Sequence, residues 1–145
     1  MRTRRLYALF LLSVFLFGCL AHLLTTPKAV EESLYTLTFE SENVNNLLLY
    51  DIPGEGESIR FGDGSGTVSG VARTPHTVLG RKDGLLLSSP SLLLSDLTFT
   101  VLAYAHEKNG RLFLGDRPLH LGEEIELRGG NFSIYARLTD FRMRF

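Results

Sequence analysis

Beyond its first two dozen residues the chain contains no amphipathic stretch of helical length. Apolar residues recur instead at every second position. Ser33 to Ser41 sets Tyr35, Leu37 and Phe39 against Thr36, Thr38 and Glu40, the period of a strand with one buried face. Leu97 to His106 is the clearest strand of all. Gly-rich turns separate such segments: GDGSG at Gly62 to Gly66, EKNG at Glu107 to Gly110, GGN at Gly129 to Asn131. Asp-Gly and Ser-Gly pairs suit hairpin positions that need positive φ, and Gly70 inside an extended run marks a bulge or a close approach. One short helix is expected, capped by Asn43, carrying Leu47, Leu48 and Tyr50, and stopped by Pro53-Gly54. Seven or eight short strands with one short helix predict a mainly β fold, a small barrel or sandwich.

The first two dozen residues obey a different rule. Leu6 to Leu24 is a 19-residue apolar run in which only Ser13 and His22 are clearly polar. As a helix it would span about 28 Å, close to the thickness of a bilayer's hydrocarbon core. Arg2, Arg4 and Arg5 precede it with no acidic companion, and basic flanks stay on the cytoplasmic side. The expected organisation is a cytoplasmic basic N-terminus (1–5), a transmembrane anchor (6–24), a polar linker (25–33) and an extracytoplasmic β domain (34–145). Two rival readings stay open. Cys19-Leu20-Ala21 resembles a signal-peptidase site, and LFGC at Leu16 to Cys19 resembles a lipobox. In all three the domain works outside the cytoplasm.

Charge and cysteine content exclude several roles for that domain. From Thr25 onward 12 Lys+Arg face 16 Asp+Glu, a balance of −4, with the basic residues scattered. A mildly acidic surface with no basic stripe is a poor nucleic-acid binder. The single cysteine, Cys19, lies in the leader, so the domain has no disulfide, thiol nucleophile or Cys-based metal site.

The anchor-like leader, YTLTFESENVNNLLLYDIPGEGESIRF from Tyr35, SGTVSGV running on to Thr74-Pro75, and FTVLAYAHEKNGRLFLGDRPLHLGEEIELRGGNFSIYARLTDF from Phe99 carry a resemblance. Together they resemble a bacterial domain-of-unknown-function family of small, N-terminally anchored, single-pass membrane proteins with a β-rich outer domain. The likeness runs from about Arg2 to Phe141. It implies anchoring and a β domain. It implies no activity and transfers no catalytic residue.

Catalytic patterns are weak. His76, His106 and His120 have no close ligand pairing of the kind zinc sites use. Asp63-Gly64-Ser65-Gly66 lacks the acidic oxygens of a calcium loop and the Lys-Ser/Thr and helix of a phosphate loop, so a hairpin turn is the better reading. No G-x-S-x-G elbow occurs. Glu123 and Glu124, adjacent in a strand, point to opposite faces. No catalytic set, metal or cofactor is expected.

Two leucine triplets are left over: Leu85, Leu86, Leu87 and Leu92, Leu93, Leu94, either side of Ser-Ser-Pro-Ser. Each puts leucine on both faces of any strand. They are either inner strands and barrel caps, or an exposed apolar ridge for a partner or a membrane surface, with Pro90 limiting strand pairing. The expected function is a membrane-anchored scaffold or binding module of an envelope assembly or export system, with an envelope protein as partner. An envelope enzyme or ligand-binding barrel with a polar pocket is the alternative from another class. An outer-membrane barrel fits poorly, since few segments reach the 9–11 residues such strands need.

Overall fold

The structure, a computed structural model, describes residues 13–17 and 31–144. The chain divides into two units, 1–30 and 31–145. Of the first, residues 13–17 are helical. Arg2, Arg4, Arg5, Cys19 and most of the apolar run lie outside the described residues. Among the described residues no helix is long and apolar enough to cross a membrane.

The second unit has eight strands: β1 (Ser33–Asn45), β2 (Ser58–Phe61), β3 (Gly64–Lys82), β4 (Leu85–Lys108), β5 (Arg111–Leu114), β6 (Arg117–Leu119), β7 (Glu124–Gly129) and β8 (Phe132–Met143). A short 3-10 helix, Asn46–Asp51, follows β1. All pairings are antiparallel. The order β1-β8-β7-β2-β3-β4 returns from β4 to β1, so six strands close a ring. The narrowest link is between β2 and β7, where two residue pairs, Arg60 with Arg128 and Phe61 with Leu127, hold the register. The hairpin β5–β6 pairs onto the end of β4 through His106 to Lys108. It adds Leu112, Leu114 and Leu119 to the buried cluster.

The period-2 alternation becomes the inside and outside of the ring. Tyr35, Leu37 and Phe39 of β1 stand opposite Ala103, Val101 and Phe99 of β4, and all six are buried. Phe39 packs on Phe61 with ring centroids 5.3 Å apart, and Phe99 on Phe132 at 5.7 Å. Both are tilted contacts of the kind aromatic pairs favour. Apolar side chains fill the interior, while Thr36, Thr38, Thr98 and Thr100 point outward. A lipid-facing barrel needs the reverse.

Several local expectations shift. The helix is 3-10 and its cap is Asn45, not Asn43: the Asn45 side chain accepts from Leu47 N at 3.0 Å. Asn43 instead takes φ 60 and breaks the register between Ser41 and Val44. The turn after β2 is Gly62-Asp63, and Gly64 to Gly66 already belong to β3. Glu123 precedes β7 rather than lying in it. The strands are not all short. β3 has 19 residues and β4 has 24, because the leucine-rich run and the strand from Leu97 are continuous.

Gly66 lets β3 lie tight against β4. A Cβ there would sit 2.5 Å from Val101 Cγ1 and 2.6 Å from the Leu102 carbonyl. At Gly70, beside the bulge between Val68 and Gly70, nothing lies within 4 Å. Gly66→Ala should therefore cost roughly 1–3 kcal/mol through forced backbone movement. Gly70→Ala should stay within about 0.5 kcal/mol. Urea denaturation of the two variants checks this, and equal midpoints would refute the close packing at Gly66.

Candidate functional site

β3 and β4 outrun the ring. Their ladder continues from Thr77 opposite Pro90 to Lys82 opposite Leu85, and the residues of this arm are almost all exposed. The arm turns at Asp83-Gly84, with φ of 51 and 82. Two positive φ values define the two-residue hairpin whose twist matches paired strands, and Asp-Gly is a preferred sequence for it. Sequence reading passed over this signal in RKDGLLL. Pro90 does not block pairing as expected: it lies in the ladder opposite Thr77.

Cross-strand partners share a face. Leu79 with Ser88 and Arg81 with Leu86 lie on one side; Val78 with Ser89, Gly80 with Leu87 and Lys82 with Leu85 lie on the other. Both faces are therefore apolar near the tip. Leu86 is 77% exposed, and Leu79, Leu85 and Leu87 are exposed with it. The second triplet sits at the root. Ser91 to Leu94 form a bulge opposite the single residue His76. Ser91 Oγ accepts from the amides of Leu93 and Leu94 at 3.2 and 3.0 Å, which ties the loop down. Leu92 is 91% exposed and Leu93 is also exposed, while Leu94 is half-buried and pairs with Asn45 of β1. The leucines of the first triplet, with Leu92 and Leu93, are neither inner-strand residues nor barrel caps.

A polar network fixes the root. Arg73 Nε donates to Ser95 Oγ at 3.0 Å, Ser95 Oγ donates to Asn46 Oδ1 at 2.7 Å, and Asn46 Nδ2 donates to the Leu92 carbonyl at 2.7 Å. Beside it His76 Nδ1 meets Asp96 Oδ1 at 2.7 Å, and the same oxygen accepts from Asn43 N at 3.0 Å. Ser95 is 2% exposed, so this buried hydroxyl links β3, β4 and the 3-10 helix where the arm leaves the ring.

A groove opens beside the root. The β1–β8 ladder stops at Glu40 opposite Arg137. Beyond it the strands part around a space of about 620 Å³. The buried Val44 and Ile134 lie at its floor, and the exposed Glu40, Glu42 and Glu124 line it together with Arg137. Ser41 Oγ reaches across to the Tyr135 carbonyl at 2.7 Å.

The histidines occupy three separate surroundings. His76 is at the arm root, His106 stacks on Phe113 at 5.4 Å, and His120 precedes β7, where its amide donates to Glu123. Among the described residues no group of three or more His, Cys, Asp or Glu is placed to hold a metal ion. Burial, with the Glu107 charge behind it, pushes the Tyr35 phenol above its usual pKa. Arg128 and the Ser133 hydroxyl hold the exposed Glu126 carboxyl below its usual range.

Ser95→Ala removes the hinge of the root network and strands Asn46 Oδ1. A loss of about 1–3 kcal/mol is expected, together with faster amide exchange in the bulge from Ser91 to Leu94. Hydrogen exchange read by mass spectrometry checks it, and unchanged exchange there would contradict the root assignment. No family model, curated protein or solved structure matches the chain.

Proposed function

We propose that the chain is a membrane-tethered, extracytoplasmic β module that binds another envelope component through the β3–β4 arm and acts as a scaffold rather than an enzyme. The observation that carries this reading is the arm: aliphatic on both faces, outside the core, and locked at its root. Leu79, Leu85, Leu86 and Leu87 are all exposed on one projection, and clustered exposed apolar residues mark interaction surfaces more often than residues scattered singly do. Stability does not account for them, because a two-stranded hairpin alone gains little from such residues. The interior of the ring is packed with Phe39, Phe61, Phe99 and their neighbours.

The tether in this reading is the apolar run from Leu6 to Leu24, with Arg2, Arg4 and Arg5 keeping the N-terminus cytoplasmic. Ser33 of β1 stands opposite Ala105 of β4, so the chain enters the unit at the end away from the arm. Leu85 and Ala105 are separated by 20 positions on β4, at most about 66 Å at ~3.3 Å per residue.

The test is a photo-crosslinking residue in place of Leu86 in the natively expressed chain, with the same residue at Tyr104, which is exposed on the outside of the ring, as control. The expected result is a discrete adduct in the membrane fraction from position 86 and none from 104. Adducts from neither position, or equally from both, would overturn the reading.

A further inference from the structure

We infer that the arm's partner is a second copy of this chain, and that each arm of a two-fold dimer lies in the other copy's groove between β1 and β8. The inference rests on the arm being a docking element and adds its occupant.

The arm and the groove are chemical counterparts. The arm offers aliphatic side chains on both faces, with Arg81 and Lys82 beside its turn against Asp83 in it, a net charge of +1. The groove offers an apolar floor, Val44 and Ile134, with Glu40, Glu42 and Glu124 about it against the one cation Arg137 among its lining residues. The unit as a whole is acidic: from Glu31 on, 11 Lys+Arg stand against 16 Asp+Glu. Two such bodies repel unless the contact joins the basic tip to the acidic groove, and complementarity of that kind fixes orientation and register.

Geometry forbids the same contact within one molecule. The groove lies directly beside the arm root, since Asn45 lines it and pairs with Leu94, and Asn46 holds the Leu92 carbonyl. The arm leads away from that point as a regular ladder, and its six paired positions from Thr77 to Lys82 carry the tip roughly 20 Å off at ~3.4 Å per residue. It cannot fold back onto its own groove. With donor and acceptor at the same end of the molecule, a two-fold axis lets both contacts form at once and closes the assembly. The parted strands supply a further attraction. On the β1 side, Phe132 to Ala136 of β8 have no strand partner; Ser41 Oγ holds the Tyr135 carbonyl, which leaves the backbone from Phe132 to Ile134 for an incoming strand to add to. In the arm, the side of β3 away from β4 is likewise without a strand partner.

The experiment uses the full chain in detergent micelles, with sedimentation velocity as the readout, and compares the original chain with two charge-reversed variants. Arg81→Glu with Lys82→Glu reverses the tip, and Glu40→Lys, Glu42→Lys and Glu124→Lys reverse the groove. All five positions are exposed, so folding is expected to survive, and circular dichroism verifies that it has. The original chain should dimerise. Each reversed variant alone should have its dimer dissociation constant raised at least about tenfold, since like charges then meet. An equimolar mixture of the two should recover a dimer, because reversed tip meets reversed groove at one contact and the original pair meets at the other. A monomeric original chain, or a mixture no better than its components, overturns the inference. The adduct trapped at Leu86 separates this failure from that of the docking reading. Twice the chain mass supports the dimer, a different mass overturns the dimer but keeps a docking arm, and no adduct overturns both.

Discussion

β4 pairs with β3 from Leu85 to Leu102, interrupted at Ser91 to Leu94, and with β1 through the ring, and the other elements are arranged around those two ladders. From Leu97 to Ala105 it supplies alternate buried side chains, Leu97, Phe99, Val101, Ala103 and Ala105, that meet β1 on one edge and β3 on the other. Its C-terminal end carries the β5–β6 hairpin. Its N-terminal third, with no core to face, becomes one side of the arm. A single strand is thus wall and projection in turn, and what changes between the two is the partner on the β1 side. Once β1 ends at Asn45, the ring cannot continue, but the β3–β4 ladder can.

That transition explains what the sequence disclosed and what it hid. Alternation at Tyr35, Leu37 and Phe39 is a local signal that placed these residues on the buried face, and the run from Leu97 to His106 was legible as a strand. Eight strands with one short helical turn follow from the same signal and from the glycines between segments. The arm was only partly legible, because Leu85 to Leu87 and Leu92 to Leu94 fit either inner strands and barrel caps or an exposed ridge, and composition does not decide between them. Only the termination of β1 leaves the first triplet without a facing layer, and that is a long-range fact. Asp83-Gly84 was the one local clue, since it dictates a two-residue hairpin and so obliges two long strands to run side by side. The groove was hidden for a similar reason. Glu40 and Glu124 come together only because both pair with Arg137 of β8, from β1 and β7, and the space beside them opens where the β1–β8 ladder ends.

The energetics of the arm bear on its role. Exposed aliphatic surface and unpaired strand edges invite aggregation, and proteins usually blunt them with charges or cover. Here the charges, Arg81 and Lys82, sit beside the turn while the leucines remain uncovered. The root is held by a buried hydroxyl, an amide and the His76–Asp96 contact rather than left free to flop. Holding an apolar projection in one geometry lowers the ordering entropy of any complex it forms. A disordered loop of the same composition would lack that advantage. The two long strands, the polar root and the adjacent acidic groove are therefore consistent parts of one surface.

The central claim, that the arm is covered in its working state, can be measured through cysteine reactivity. With Cys19 replaced by Ser, a cysteine is placed at Leu86 and, separately, at Tyr104, and each chain is labelled with a maleimide in intact membranes and again after dilution in detergent. The account expects the cysteine at position 86 to react at least about tenfold more slowly in membranes than in dilute detergent, with no such difference at position 104. Equal, fast labelling of both positions in membranes would show an arm that nothing covers and would contradict the account.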